Sequence, residues 1–451
     1  MNRGGADVPE DAEDAVRLVA GMLRRGESGE AMREHRRVTS WSASEAGLLS
    51  PAAHEERGTA VRIRRGGASL LVARAGDGPA ALREAIREAA RRGGTSPFLK
   101  SSARGAARVR EATPEPRQDD ELAAPIAAAL AHALPDPRGV SLSLTVSLVS
   151  VSRAVVTPRA YLPCGAALRL EATGRVVRGG ALRHVAFQSS LSLPGAFAAL
   201  EIALKEALRP APRVAAPSGE VDVVLSPSAS AVFWHEAVGH PLEAEGADRA
   251  SVLARVQGAL VGPPRFELLD DPTRIDLPGA YLVDDEGVAA RATALVKDGR
   301  VAGLLTDRRT AGADSNGHGR ASDYRRPPRP RMSNLVVPPG DATLEELLER
   351  CSDGIHVREI SGGSADPESG RFVLLVESAD AIRKGRLSAP IARFALVGDV
   401  LSALRNVEDA RGRDASPASG LAVCVKSGDP LPVGGAAPAM LVRGLEARGL
   451  K

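Results

Sequence analysis

VSLSLTVSLVSVSRAVV (residues 140–156) alternates apolar and small polar side chains along most of its length, the period-two pattern of a strand with one face on a core and the other in water. Strands of this kind belong to antiparallel sheets, because parallel strands are covered on both faces and read as continuous apolar runs. AALRLEATGRVV and ALRHVAFQSSLS, further along, keep the alternation. Towards the N-terminus, residues 11–25 space Val16, Val19 and Leu23 as a helix does, and GTAVRIRRGGASLLVARAG (58–76) reads as two short strands around Gly66-Gly67. PAALREAIREAARRGG (79–94) carries Leu82, Ile86 and Ala90 on one helical stripe closed by two glycines. The charged, proline-bearing RGAARVREATPEPRQDD (104–120) suits a surface loop, whereas ELAAPIAAALAHALPD (121–136) and ALEIALKEAL (199–208) are helical. PAPRVAAPSG (210–219) is a linker.

Beyond that linker VDVVLS (221–226) predicts a strand and SASAVFWHEAVGH (228–240) a helix with a serine available as N-cap. The rest of the chain is mostly strand-like and punctuated by glycine and proline: ALVKDGRVAGLLT (294–306), RFVLLVES (371–378), ARFALVGD (392–399) and LAVCVKSG (421–428), interrupted by the helix TLEELLERC (343–351). The expectation is an α+β fold. An N-terminal α/β domain with an antiparallel sheet spans 1–212, and a C-terminal β-rich domain spans 213–451.

Bulk properties narrow the function classes. At 451 residues and 43% hydrophobic content the chain can bury a sizeable core, and its length favours two domains. Basic and acidic residues nearly balance, 59 against 56, so no strong overall field draws nucleic acid or an anionic membrane. Cys164, Cys351 and Cys424 are too few and too scattered for a disulfide framework, which argues for a reducing compartment. The opening MNRGGADVPEDAEDAV is polar and acidic, and no run of about eighteen apolar residues occurs after it. A soluble, cytoplasmic protein is the expectation.

HEAVGH (235–240) supplies two imidazoles and, next to the first, a carboxylate, the parts that a hydrolytic zinc site requires. Their spacing is five. In a regular helix of 3.6 residues per turn that separates the two histidines by about 140°, so they would not converge. Gly239 loosens the backbone between them, and Pro241 lacks an N–H and clashes with the carbonyl four residues earlier. A widened turn of the π-bulge kind is therefore predicted at this helix.

HEAVGHPLEAE (235–245) resembles the HExxxH signature of the TldD/PmbA metallopeptidases, also called modulators of DNA gyrase. DDEGVAARATALVKDGRVAGLLTDRRTA (284–311), RMSN (331–334), GGSADPESGRFVL (362–374) and LAVCVKSGDPLPVGGAAPAML (421–441) are similar to further segments of that family, and ERGTAVRIRR (56–65) more loosely to its N-terminal hairpin. The resemblance is dense in the C-terminal half and sparse before it. It implies that His235, His240 and Cys424 bind Zn²⁺ and that Glu236 is the catalytic base. It also implies unfolded or extended peptides as substrates, enclosed in a two-subunit assembly, either a homodimer or a heterodimer with a related subunit.

The other cysteines read differently. Cys351 shares a helical stripe with Leu344, Leu347 and Leu348 and is a core residue, while Cys164, in YLPCG, sits in a proline-glycine turn and is structural. Leu421, Val423 and Val425 occupy one face of a strand, which leaves Cys424 with Ala422 and Lys426 on the face away from the presumed core. Glu243 stays open as an alternative third ligand, since carboxylates also complete catalytic zinc sites. His318, glycine-flanked in SNGHGRASDYRR (315–326), and Arg320 beside it are candidates for substrate binding; a mobile or merely exposed loop histidine fits the same pattern. RRPPRPR (325–331) motivates a nucleic-acid-binding alternative, though arginines interrupted by prolines make a stiff surface loop as readily. A metal-free partner subunit is a third reading, set against the retained HExxxH residues.

Overall fold

The computed structural model describes residues 9–48, 51–65, 68–93, 120–136, 138–189, 193–208, 214–244, 251–414, 416–417 and 423–450. The chain is α+β. The loop expected at 104–120 lies, but for its last residue, outside the described residues, as do 209–213 of the linker region.

Val140–Val156 is a single strand in the middle of an antiparallel sheet, paired with Ser28–Ser44 on one edge and Tyr161–Arg178 on the other. Ala52–Arg65 and Ala68–Ala75 extend the sheet beyond Ser28–Ser44, and Ala181–Ser189 extends it beyond Tyr161–Arg178. Leu142, Leu144, Val146 and Leu148 pack with Ile126, Leu130, Leu200 and Leu204 of the helices Asp120–Ala133 and Leu193–Ala207. At the strand's far end Ala154 and Val156 join a second core under the helices Ala12–Met22 and Pro79–Gly93. YLPCG belongs to the strand Tyr161–Arg178 and is not a turn: Gly165, at φ 118°, absorbs a register shift opposite Arg153, and the chain stays paired through it.

Ser28–Ser44 has no counterpart in the sequence reading. Its residues SGEAMREHRRVTSWSAS are rich in charge, yet Glu30, Arg33 and Glu34 are buried. Burying them is tolerated because each is paired. Arg62 and Arg64 bind Glu30, and both reach across to Glu286 of the C-terminal half, at 2.8 and 3.5 Å. Arg153 binds Glu34 at 2.6 Å and Asp285 at 3.3 Å and donates to the main-chain oxygens of Ala321 and Ser322. These pairs tie the sheet to the C-terminal half.

In that half five strands close a ring. Gly219–Leu225 runs parallel to Gly354–Ala365 and antiparallel to Met440–Gly449; Phe394–Asp399 and Arg371–Arg383 come next, and Arg371–Arg383 returns to Gly354–Ala365. Side chains alternate between two cores. Val223, Leu225, Ile355, Val357 and Leu396 face the core that holds the HEAVGH helix, whereas Val224, Ile382 and Leu441 pack on the helix Leu344–Cys351, whose stripe of Leu347, Leu348 and Cys351 is buried as its spacing predicts. No helix among the described residues is long and apolar enough to cross a membrane.

His356, on the strand Gly354–Ala365, is buried, and neither ring nitrogen has a hydrogen-bond partner among the described residues. Burial, aided by the positive charge of Arg358, pulls its pKa down to about 4 from 6.5. The folded protein thus holds the ring neutral, while the unfolded chain takes up a proton below about 6.5. Its contribution is fully present above that pH and is lost as pH falls towards 4, by up to about 3 kcal/mol. Urea unfolding at pH 7.5 and pH 4.5 is expected to show a smaller acid loss for His356→Leu than for the parent; equal losses would exclude the effect.

Candidate metal centre

The HEAVGH helix begins at Pro227, where Ser226 caps it by accepting from the Ala229 N–H at 3.1 Å and proline occupies the first turn, needing no N–H partner. From Ala229 to Trp234 every residue is buried, as a helix apolar on all sides must be. Phe233 and Trp234 pack edge-on, with Phe372 and Phe266 against them. The helix then widens. His235–Gly239 is a π-turn in which the His240 N–H donates to the His235 carbonyl, and a short 3₁₀ turn, His240–Leu242, ends it. This is the widened turn that the five-residue spacing predicts. It brings the two imidazoles to ring centroids 5.0 Å apart, their planes 81° to each other. Gly239 is required there for a second reason: a Cβ would overlap the buried sulfur of Met332.

Cys424 comes from the hairpin of Val423–Lys426 and Asp429–Pro432. The alternation read from the sequence is present but its sense is reversed: Val423 and Val425 are 44% and 65% exposed, and Cys424 is the buried residue. The strand turns its thiol inward, where its Sγ lies 3.3 Å from His240 Nε2. His235, His240 and Cys424 each offer a donor atom, and these atoms lie within 4.8 Å of one another. His235 is fully buried, yet neither of its ring nitrogens has a hydrogen-bond partner among the described residues. Burial alone would raise the Cys424 thiol, but the facing imidazoles of His235 and His240 outweigh it and bring the thiol down to about 5. A thiolate at neutral pH beside two imidazoles is a metal-binding donor set.

Glu243 stands behind His240. One carboxylate oxygen meets His240 Nδ1 at 3.1 Å and Lys426 Nζ at 2.7 Å, and the other accepts from the Met332 N–H at 2.9 Å. Buried though it is, its carboxyl is held far below the usual range by His240, Lys426 and Arg331. Glu243 therefore orients His240 so that Nε2 faces Cys424, and it stands outside the group of three converging donors. Arg331 holds the hairpin by donating to the Cys424 and Asp429 carbonyls at 2.8 and 3.1 Å. Glu236 points to the same space, its carboxylate 3.8 Å from His240 Nε2, and is partly exposed. Gly363, on the strand beside it, leaves room for that side chain.

The two other residues singled out in the sequence are elsewhere. His318 is wholly buried, with one ring nitrogen 3.0 Å from Asn316 Oδ1 and the other 3.0 Å from Asp270 Oδ1, which corrects the picture of a mobile loop histidine. The glycines around it allow tight packing. Arg320 is buried too, donating to the carbonyls of Met332 and Pro432 beneath the Cys424 hairpin. The run RRPPRPR is largely committed to carboxylates: Arg325 pairs with Glu56 and Asp323, Arg326 with Asp429, and Arg331 lies 3.6 Å from Glu243. Sequence reasoning did not find Arg331, Lys426 or Gly363 as parts of the site. Lys426 left a signal by sharing a strand face with Cys424, and Arg331 and Gly363 by lying in RMSN and GGSADPESGRFVL, two of the segments that carry the family resemblance.

Two imidazoles and a thiolate around one space, with a carboxylate at its edge, are donors of the kind that metal-dependent hydrolases use. The chain belongs to the PmbA/TldD metallopeptidase family: residues 218–449 match the PmbA/TldA metallopeptidase C-terminal domain. It is 33% identical over 247 residues to the metalloprotease TldD homolog of Haemophilus influenzae, covering 53% of this chain and 50% of that one. It is 30% identical to the zinc metalloprotease TldD homolog of Saccharolobus solfataricus, over 51% of this chain and 52% of that one. The chain thus spans about half the length of the curated relatives it matches. A candidate modulator of a DNA gyrase from Thermotoga maritima has a similar fold throughout, with a TM-score of 0.73 at 18% identity over 96% of this chain and 98% of that one.

Proposed function

We propose that the chain is a zinc-dependent peptidase acting on unfolded or extended peptides, with His235, His240 and Cys424 holding the ion and Glu236 as general base. The observation that carries this is the meeting of three donor side chains from a deformed helix and a distant hairpin, one of them a buried imidazole with no hydrogen-bond partner among the described residues. A bound zinc ion supplies a water of lowered pKa and polarises the scissile carbonyl. Glu236, partly exposed at the edge of the donor group, would be the side chain to accept a proton from the attacking water and return it to the leaving amine. Glu243 keeps the His240 ring in one tautomer and one orientation.

A route for the substrate supports the same reading. Pairing of Gly354–Ala365 with Gly219–Leu225 stops at Val357, so on that edge residues 359–365 form no strand pairing among the described residues, and Gly363 lies next to Glu236. An extended peptide added to this edge would be held through its main chain, with little demand on its side chains. A second copy or a related subunit would enclose it. A cytoplasmic setting suits the free thiols.

Chelation is expected to abolish hydrolysis of unfolded peptides by the purified protein, and stoichiometric zinc to restore it; hydrolysis that persists after metal removal would sink the proposal. Glu243→Gln is expected to weaken metal binding by about 10- to 100-fold while the protein stays folded. Competition with a chromogenic chelator measures this, and an unchanged affinity would deny Glu243 its orienting role.

A further inference from the structure

Between the first sheet and the C-terminal half lies a cavity of about 70 Å³, whose wall includes Arg36, Arg153, Arg169, Arg320, Tyr281 and Asp285 but none of His235, Glu236, His240 and Cys424. It has room for a few waters or for one carboxylate group with its nearest carbons. Its guanidinium groups are unequally compensated. Arg153 has Glu34 at 2.6 Å and Asp285 at 3.3 Å. Among the described residues Arg36 has a distant share of Glu34, at 3.7 Å, and the Ser322 carbonyl at 3.2 Å. Arg169, buried, has Glu171 at 3.3 Å. Arg320, also buried, makes no ion pair among the described residues; its N–H groups go to two main-chain carbonyls, and its plane lies 5.3 Å from the centre of the Tyr281 ring.

A buried guanidinium without a counter-charge is unfavourable unless something supplies one. Asp284, also in the wall, spends its oxygens on the N–H groups of Glu286, Val288 and Gly319. Burial, and then the charge of Glu286, raises its pKa to about 7. The carboxylates whose charge reaches Arg320 are Asp285 and, more weakly, Asp270, and both are already engaged, Asp285 by Arg153 and Asp270 by His318 and the Ser333 N–H. We propose that this cavity binds a carboxylate group, taken up by the N–H donors of Arg320 that the Met332 and Pro432 carbonyls leave over and flanked by Arg169 and Arg36. A planar fork matches a carboxylate's two oxygens. With Asp285 already in the wall, the surplus positive charge is small, which favours a monoanion over a phosphate dianion. Arg320 also ties the cavity to the metal-site wall: it holds Met332, whose N–H serves Glu243, and Pro432, paired with Val423 on the Cys424 hairpin. The proposal does not require the chain to cleave peptides.

Calorimetric titration of the full chain tests it, using propionate against propionamide, an N-acetyl dipeptide as free acid against its amide, and inorganic phosphate. Propionate is expected to bind at least about tenfold tighter than propionamide, and Arg320→Met to remove that preference. Because Arg320→Met removes bonds to the hairpin and could unfold the protein, Arg36→Ala, at the more exposed rim, provides the second variant and is expected to weaken propionate several-fold in folded protein. If the peptide acid binds better than propionate, the carboxylate is a peptide C-terminus; if only propionate binds, it is a free small acid. Equal binding of acid and amide, tighter binding of phosphate, or unchanged affinity in both variants would overturn the proposal. Since propionate has no peptide bond, failure here is separate from failure of the peptidase reading.

Discussion

Glu236→Gln should yield a folded protein with its full metal content that hydrolyses peptides about 10²- to 10⁴-fold more slowly than the parent, the range for loss of a general base. The exchange is isosteric, so the fit beside Gly363 persists. Glu236 is not among the three converging donors, and its carboxylate stays 3.8 Å from His240 Nε2, so removing its charge leaves the donor set intact. What disappears is the acceptor for the proton of the attacking water. Steady-state hydrolysis of an unfolded peptide, normalised to bound metal, measures this. Undiminished turnover in the metal-loaded variant would transfer the base to another residue.

Cys424→Ala is expected to cost metal affinity by about 10²-fold or more, since binding energies of about 10–16 kcal/mol spread over four ligands give roughly 3 kcal/mol for each. The fold should tolerate it. The hairpin is held through main-chain oxygens by Arg331, and the salt link of Lys426 to Glu243 does not involve the thiol. The variant should also lose the low-pKa thiolate that absorbs in the far ultraviolet in the metal-free parent, because the thiol brought down to about 5 is that of Cys424. Metal content and affinity equal to those of the parent would show that a carboxylate, Glu243 foremost, supplies the third ligand.

Much of this centre was legible in the residues themselves. The five-residue spacing of His235 and His240, with Gly239 and Pro241 between and after them, demanded a widened turn, and the π-turn is there. Periodicity alone located Val140–Val156 and the helices Pro79–Gly93 and Leu344–Cys351. The strand Ser28–Ser44 escaped because Glu30, Arg33 and Glu34, among its buried side chains, are charged and break the apolar alternation. Their partners, Arg62, Arg153, Asp285 and Glu286, are distant in the chain, and no local pattern reports a pairing made across two halves. The inward face of the Cys424 strand was misjudged for a related reason. In a two-residue alternation the apolar face is assumed to be the covered one, whereas here Val423 and Val425 are exposed and the polarisable thiol faces in. Closure of the five-stranded ring, with its parallel pairing of Gly219–Leu225 and Gly354–Ala365, joins segments far apart in the chain and leaves no signature in either.

X-ray absorption at the zinc edge of the metal-loaded protein tests most directly whether the helix and the hairpin share one ion. One sulfur near about 2.3 Å with nitrogen or oxygen neighbours at about 2.0–2.1 Å is the predicted shell, and the sulfur should vanish in Cys424→Ala. A shell built only of nitrogen and oxygen in the parent protein would contradict it.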